Sequence, residues 1–223
     1  MIINWYPGHM KKSLEMLQDD LKKCDVIIYV LDARCPKSCL NPEFDKLANR
    51  KKVIYYHSKQ DLAPASRCEK RNDEAIPKLP HELISRIKKL FPNKMGFIKA
   101  MVIGVPNCGK STLINKLAKR KKTVTGDKPG VTKTKQWVPI SDNIWCMDTP
   151  GVLWPKLDDE KVAKNLAYVG SIKDDILDIV ELAKSLVADL KLNREITNEQ
   201  SAKAVLVDFR AGKLGKFNLD KLL

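Results

Sequence analysis

Features that would assign this 223-residue chain to other classes of protein are missing from its sequence. No run of about 18 apolar residues occurs, so the sequence predicts no transmembrane helix. The six cysteines include no C-x-x-C pair, which is typical of reduced thiols rather than of a zinc site. Acidic residues are scarce relative to basic ones, 27 against 41, and the net charge of +14 favours a phosphate-rich partner.

The strongest motif is Gly104–Ser111, which fits the phosphate-binding pattern G-x-x-x-x-G-K-[ST] at every fixed position. The apolar run 97–103 before it is typical of a buried strand, and 111–118 after it of an amphipathic helix. Such a loop presents backbone N–H groups and the positive end of a helix to phosphates. We expect Lys110 to contact the β- and γ-phosphates and Ser111 to hold Mg²⁺. Further nucleotide contacts are expected from neighbouring loop residues: Asn107, Cys108, Gly109 and Thr112.

A second buried strand is predicted at 143–147 and ends in the sequence Asp-Thr-Pro-Gly. At a strand end, Asp148 can hold the Mg²⁺ shell, and Gly151 lets the backbone approach the γ-phosphate. Between the two motifs, a threonine-containing segment predicts a switch that closes over the metal ion and the γ-phosphate. Thr132 is the better candidate for that contact and Thr134 the alternative. Without the flanking motifs, the same segment would be an ordinary surface loop.

Guanine recognition is predicted for Ser58-Lys59-Gln60-Asp61, which follows a strand-like run at 52–57. The carboxylate of Asp61 can accept bonds from two guanine N–H groups, whereas adenine would leave that buried carboxylate unpaired. The aliphatic stem of Lys59 would lie along the base. Ser58 stands where such motifs usually carry Asn or Thr, so we expect weaker guanine affinity. No Ser-Ala-Lys loop follows, and the tetrapeptide alone is equally typical of a polar loop.

The base-reading motif precedes the phosphate loop, which is the reverse of the usual order in GTPases. No second N-K-x-D candidate follows Gly151, so the G domain is either circularly permuted or lacks base recognition. Permutation is physically accessible because domain termini usually lie close together at the surface. A helix predicted around 80–87 would bridge the original ends. The remaining patterns predict helices at 10–23 and near 43–50 and a strand at 25–31. Because helices and strands alternate, we predict an α/β fold, a P-loop three-layer sandwich.

Strand patterns disappear after residue 158, and apolar residues then recur every three or four positions. We therefore predict a G domain over residues 1–158 and a small helical domain over residues 159–223. The predicted helices of the second domain are 160–169, 174–192 and 198–210. RNA contact and simple packing onto the G domain both fit this segment, which is kept basic by Lys203, Arg210, Lys213 and Lys216.

Taken together, these motifs make the chain resemble the ribosome biogenesis GTPase A family, circularly permuted GTPases of late large-subunit assembly. The resemblance lies in the P-loop and in the segments 4–10, 31–34, 125–132 and 148–156. It implies GTP and GDP as ligands, Mg²⁺ as cofactor, and the large ribosomal subunit with its rRNA as partners. The family's C-terminal domain is typically longer, which leaves the extent of RNA contact open.

The resemblance also implies roles for individual residues. Val152 stands where many GTPases carry a glutamine that orients the attacking water, and valine can neither donate nor accept a hydrogen bond. The family assigns that role to the histidine of its N-terminal segment, here His9, which the sequence alone would make a structural residue. Asn107 matches an asparagine that binds K⁺ in related GTPases and is otherwise a turn residue. We interpret the basic run 119–122 as an rRNA contact, the alternative being a solvated helix end.

These inferences predict a Mg²⁺-dependent GTPase, stimulated by K⁺ and by the ribosome, that binds rRNA in its GTP state and leaves after hydrolysis. The predicted catalytic residues are His9, Lys110 and Thr132, and the predicted Mg²⁺ ligands are Ser111, Thr132 and Asp148. An RNA-binding assembly factor that binds nucleotide without hydrolysing it is the alternative, and Asp61 disfavours a P-loop ATPase. The N-terminus begins in the family motif and leaves no room for a targeting peptide, so we expect a cytoplasmic protein. We also expect it to be monomeric and, without a long apolar run, not to associate with membranes.

Overall fold

The computed structural model describes residues 8–48, 51–65, 70–71, 74–118, 137–153 and 157–221. The strands in these ranges are β1 (Val26–Asp32), β2 (Lys52–Ser58), β3 (Lys70–Arg71), β4 (Glu74–Ala75), β5 (Ile98–Ile103), β6 (Trp137–Ser141) and β7 (Ile144–Asp148). The helices are α1 (Gly8–Lys23), α2 (Pro42–Ala48), α3 (Pro80–Leu90), α4 (Lys110–Leu117), α5 (Glu160–Tyr168), α6 (Ile179–Asp189) and α7 (Glu199–Arg210). Strands β3 and β4 form a small antiparallel hairpin of their own.

The central sheet has five strands in the order β2-β1-β5-β7-β6. Its first four strands are parallel, and β6 runs antiparallel to β7. Strand β1 is buried along its whole length, as its uninterrupted apolar sequence requires in a parallel sheet covered on both faces. Parallel strands end at one sheet edge, where ligands of such folds bind. That edge carries Asp32, Ser58 and Asp148, and the strand register pairs Asp32 directly with Ser58.

The reversed chain order predicted from the motifs is confirmed by the sheet. Strand β1, which precedes the phosphate loop in sequence, pairs in parallel with β5, which leads into that loop. Strand β2 is the lateral edge strand of the sheet, beside β1, and within the described residues no strand pairs with its other side. The predicted α/β fold with a permuted G domain is therefore correct. Strand β6 and the β3–β4 hairpin were not predicted.

The C-terminal helices begin where polar side chains cap them. Asp159 accepts hydrogen bonds from the backbone N–H groups of Lys161 and Val162, at 2.9 and 3.2 Å. The helix predicted across 174–192 is instead a 3-10 turn at Asp174–Ile176 followed by α6. This interruption arises because Asp178 is extended and caps α6 through the N–H of Glu181, at 2.9 Å.

The helical segment, residues 157–221, is hydrogen-bonded to the sheet domain near its C-terminal end. The N–H of Leu219 donates to the carbonyl of Arg34 at 2.7 Å. The Asp220 carboxylate accepts from the backbone N–H of Lys37 and the hydroxyl of Ser38, both at 2.6 Å. One continuous buried cluster also runs from the sheet into α5, α6 and α7. Residues on both sides of position 158 share this core, and the domain boundary predicted at that position stays a prediction.

The described part of the chain has buried free cysteines and no helix suited to crossing a membrane. None of its helices has both the length and the apolar character that a membrane crossing requires. The cysteines described are free and buried; they are Cys24, Cys35, Cys39, Cys108 and Cys146.

Candidate functional site

The phosphate-binding loop joins β5 to α4 at the sheet edge described above. A Cβ atom at Gly104 would lie 2.5 Å from the carbonyl oxygen of Val30, and Gly109 enters α4 with a φ of +93°. Both positions therefore require glycine. The Lys110 ammonium is folded back into this loop and donates to the carbonyl oxygens of Val105 at 2.8 Å and Gly104 at 3.3 Å. Only 6 % of Lys110 is exposed, so its charge is held inside the loop where phosphate oxygens are expected.

The two predicted protein ligands of Mg²⁺ are in direct contact. The Ser111 hydroxyl donates to Asp148 Oδ2 at 2.6 Å, and the other carboxylate oxygen, Oδ1, is buried without a hydrogen-bond partner. Burial raises the pKa of Asp148, against the opposing effects of the Ser111 hydrogen bond and the Lys110 charge. A buried oxygen without a donor suits a hard cation, and Mg²⁺ commonly takes only one or two protein oxygens besides phosphate and water. Within the described residues no larger cluster of His, Cys, Asp or Glu offers a metal site.

The Asp-Thr-Pro-Gly segment lies directly against the phosphate loop. A Cβ atom on Gly151 would be 2.5 Å from Pro106 Cα and 2.9 Å from Lys110 Nζ. The next residue, Val152, donates its N–H to the Gly104 carbonyl at 3.4 Å, and its side chain is buried in the core with 1 % exposure. Val152 therefore cannot take the place of a water-orienting glutamine.

The predicted base-reading motif contacts the phosphate loop through two of its residues. Ser58 Oγ lies 2.5 Å from the carbonyl oxygen of Cys108 and 3.2 Å from that of Leu31. The Lys59 ammonium donates to the carbonyl of Asn107 at 2.7 Å, from a backbone with a φ of +51°. The structure thus brings together two motifs that the chain separates by about 50 residues.

Asp61, the carboxylate predicted to read guanine, is open to solvent. It lies exposed in the 3-10 turn Gln60–Leu62, and the structure records no hydrogen-bond or ionic partner for it among the described residues. The turn itself is anchored, because Gln60 Nε2 donates to the carbonyls of His57 at 2.7 Å and Lys78 at 3.1 Å.

Of the remaining predicted nucleotide contacts, Cys108 offers its backbone rather than its thiol. Its side chain is 1 % exposed, and burial raises the pKa of the thiol to about 11. The thiol is therefore protonated and poorly reactive at neutral pH. Thr112 is exposed on the first turn of α4, one residue beyond Ser111.

Sequence reasoning assigned no role to an ionic network beside Lys59. Asp32, at the end of β1, is 1 % exposed and receives the Arg34 guanidinium on both oxygens, at 3.0 and 2.7 Å. Its Oδ2 also lies 3.1 Å from Lys59 Nζ. Burial alone would raise the pKa of Asp32, but the Lys59 charge and the Arg34 hydrogen bonds hold it below its usual value. The available signals were a charged pair, two positions apart, at the end of an apolar strand, and the place of segment 31–34 in the family resemblance.

Sequence reasoning also missed a contact between the loop and the helical segment. Asn107 Nδ2 donates to the carbonyl of Gly170 at 2.8 Å, and Ser171 Oγ donates to the carbonyl of Pro106 at 2.8 Å. Both partners follow the C-terminus of α5, where Gly170 has a φ of +78°. No motif in the sequence marks these residues.

Several predicted residues lie outside the described part of the chain. They are Thr132 and Thr134 of the predicted switch and the basic run 119–122. Helix α1 begins at Gly8, which puts the backbone of His9 in its first turn; the His9 side chain is not among those that the structure describes. Their roles stay predictions.

A mainly parallel sheet carries a P-loop lysine and a contact between Ser111 of α4 and Asp148 at the end of β7, and the base-reading motif lies earlier in the chain. Together these features define a circularly permuted P-loop GTPase. A family model described as "50S ribosome-binding GTPase" matches residues 99–209. The chain is 36 % identical to ribosome biogenesis GTPase A of Priestia megaterium, over 82 % of this chain and 72 % of that protein. It is 37 % identical to ribosome biogenesis GTPase A of Bacillus licheniformis, over 82 % of this chain and 73 % of that protein. The chain belongs to the ribosome biogenesis GTPase A family.

A solved structure supports the same fold. The GNP-bound YlqF from Thermotoga maritima aligns with a TM-score of 0.62 and 20 % identity, covering 95 % of this chain and 100 % of that one. At this identity the likeness establishes the fold.

Proposed function

We propose that this protein hydrolyses GTP and serves assembly of the large ribosomal subunit. The observation that carries the proposal is the contact of Ser58 and Lys59 with the carbonyls of Cys108 and Asn107. A base-reading segment fixed to a phosphate loop gives one continuous surface for a guanine nucleotide. In this surface the Lys59 stem faces the base, Asp61 accepts from the guanine N–H groups, and Gly109, Ser111 and Thr112 present backbone N–H groups to phosphates.

At the phosphate end, Lys110 would exchange its loop carbonyls for the β- and γ-phosphate oxygens. Ser111 and Asp148 would hold Mg²⁺ together with Thr132, and the bound ion would neutralise charge on the transferring phosphoryl group. Gly151 lets the backbone approach the γ-phosphate without a side chain in between. Asp148 enters this arrangement with a buried, unpartnered oxygen, so metal binding relieves a cost already present in the fold.

The attacking water needs a polar side chain, and the buried Val152 cannot provide one. We assign this role to His9, in the first turn of α1. Contact with the ribosomal subunit would hold His9 against the γ-phosphate, so hydrolysis is expected to be stimulated by that partner. Asn107 would bind K⁺ beside the phosphates and add positive charge where the transition state develops negative charge.

The partner is proposed from charge and from the family. The net charge of +14 suits rRNA, and the relatives carry the name ribosome biogenesis GTPase A. Residues 159–223 would act as the RNA-contacting helical domain on a G domain of residues 1–158. The contacts from Gly170 and Ser171 to the phosphate loop offer a direct route by which nucleotide state could reach that domain and cause release.

The decisive experiment measures GTP turnover by the full chain with and without large ribosomal subunits, in K⁺ and in Na⁺. We expect slow intrinsic turnover, stimulation by the subunit, and loss of turnover in the Lys110→Ala variant. ATP should neither be hydrolysed nor displace GTP. Tight ATP binding, or turnover unaffected by Lys110→Ala, would contradict the proposal.

A second function is favoured by the exposed Asp61 and by Ser58. A base site that is open to solvent at Asp61 fits a factor that binds GTP and rRNA without hydrolysing the GTP. Recovery of intact GTP from the protein after incubation with large subunits would select this function.

A further inference from the structure

The ammonium of Lys59 is held from two sides. The Asn107 carbonyl of the phosphate loop lies 2.7 Å from Nζ, and the Asp32 carboxylate lies 3.1 Å from it. The first contact fixes the lysine to the loop that would bind phosphates. The second fixes it to the neighbouring strand, since Asp32 pairs with Ser58 in the β1–β2 register. The side chain between these anchors therefore has little freedom to leave the base side of the site.

The Asp32 carboxylate is itself fixed in orientation. It accepts three hydrogen bonds from Arg34, from the backbone N and Nε to Oδ1 at 3.0 Å each and from Nη2 to Oδ2 at 2.7 Å. Arg34 is one of the largest fully buried side chains, and its guanidinium lies 5.4 Å from the centre of the Phe209 ring. A paired fork of this kind leaves the carboxylate a single orientation, with Oδ2 facing Lys59.

The neighbouring residues make the contact between Asp32 and Lys59 especially important for holding the base. Lys59 occupies the left-handed region at a φ of +51°, a conformation that is uncommon for residues other than glycine. Ser58 contributes one short hydroxyl to the phosphate loop in place of a longer amide. On the solvent side Asp61 is exposed, so the base would be held chiefly by the Lys59 face.

We infer that Asp32 is a positioning residue for guanine nucleotide binding, which acts by holding Lys59 so that its aliphatic stem forms a fixed wall against the base. This inference rests on the proposed nucleotide site. Arg34 supports it by fixing the orientation of the Asp32 carboxylate.

Titration of fluorescently labelled GDP into the full chain tests the inference as a double-mutant cycle. The variants are Asp32→Asn, Lys59→Met and the two combined. We expect each single change to weaken GDP binding about tenfold, as loss of a charge-assisted hydrogen bond implies. The double variant should bind no more weakly than Lys59→Met alone, because Asp32 acts only through the lysine. An Asp32→Asn loss that persists undiminished in the Lys59→Met background, or no loss at all, would overturn the inference.

Two further variants separate positioning from folding. Asp32→Asn leaves the buried Arg34 charge without its partner, so Asp32→Asn with Arg34→Met removes both charges and should show the same GDP affinity loss. Ser38→Ala removes a partly buried hydrogen bond to Asp220 further along the same loop and should leave GDP affinity unchanged. An unaltered protein that binds no guanine nucleotide would overturn the proposed function and this inference together. Normal binding by the unaltered protein and by Asp32→Asn would overturn the inference alone.

Discussion

Asn107 donates a hydrogen bond from its side-chain amide to the carbonyl of Gly170, at 2.8 Å. The phosphate loop is thereby tied to the end of α5, and Ser171 ties it a second time through Pro106. Asn107 is also the residue proposed to bind K⁺. Docking of the helical segment and binding of the monovalent ion therefore depend on one side chain.

The first prediction concerns that shared side chain. Asn107→Ala should abolish any stimulation of GTP turnover by K⁺, so that rates in K⁺ and Na⁺ become equal. Ser171→Ala is the matched control, because it removes the neighbouring contact to the loop and leaves Asn107 in place. Turnover assays in the two salts decide the point. Stimulation that survives in Asn107→Ala, or that is lost equally in Ser171→Ala, would contradict the assignment of K⁺ to Asn107.

The second prediction separates stability from metal binding at Asp148. Because burial raises its pKa, the ionised carboxylate disfavours the folded state at neutral pH. This cost is full above the raised pKa and disappears as pH falls below the ordinary carboxyl pKa. Asp148→Asn should therefore raise the melting temperature of the nucleotide-free protein in EDTA by about 2–4 °C. The same variant should lose the increase in melting temperature that Mg²⁺ and GDP give the unaltered protein.

Asp142→Asn provides the control for this experiment. Asp142 is exposed in the turn between β6 and β7, so its replacement should change neither the melting temperature nor the response to Mg²⁺. A fall in the melting temperature of Asp148→Asn in EDTA would show that the carboxylate stabilises the fold without metal.

Contiguous patterns were predictable from the sequence in this protein, and contacts between distant residues were not. The P-loop was predictable because its spacing is fixed, and β1 and β5 because each is a short, mostly apolar run. The contact of Asn107 with Gly170 joins residues 63 positions apart, and no pattern in the sequence pairs them. The exposure of Asp61 likewise depends on its three-dimensional surroundings, which a local motif does not encode.

The third prediction tests the close packing of Gly151 on the phosphate loop. Gly151→Ala would place a Cβ atom 2.5 Å from Pro106 Cα and 2.6 Å from Pro106 N, so the loop or the segment must shift. We expect GDP affinity to fall by at least about tenfold, because steric clashes with a backbone have large effects. Gly96→Ala is the control, since a Cβ atom there would meet nothing within 4 Å and only the φ of +80° is unfavourable. Equal GDP affinities for the two variants would contradict the steric role of Gly151.

The last prediction concerns Arg210, which the sequence placed among the basic residues of a candidate RNA surface. In the structure its guanidinium donates to the carbonyls of Tyr168 and Ala167, at 3.0 Å each, and forms a paired contact with Asp174 at 2.7 and 2.8 Å. It therefore caps the C-terminus of α5 and secures the turn that bears Gly170. We expect Arg210→Ala to lower the free energy of unfolding by about 2 kcal/mol.

Arg210→Lys should be nearly as destabilising, because lysine keeps the charge but cannot reproduce the fork. Lys216 is exposed near the C-terminus and serves as the comparison residue, because it belongs to the same predicted RNA surface as Arg210. Lys216→Ala should leave the urea unfolding curve unchanged and reduce the salt dependence of rRNA binding by about one phosphate contact. Urea unfolding and rRNA titrations at two salt concentrations distinguish these roles. An Arg210→Ala variant of unaltered stability but weakened rRNA binding would return Arg210 to the RNA surface.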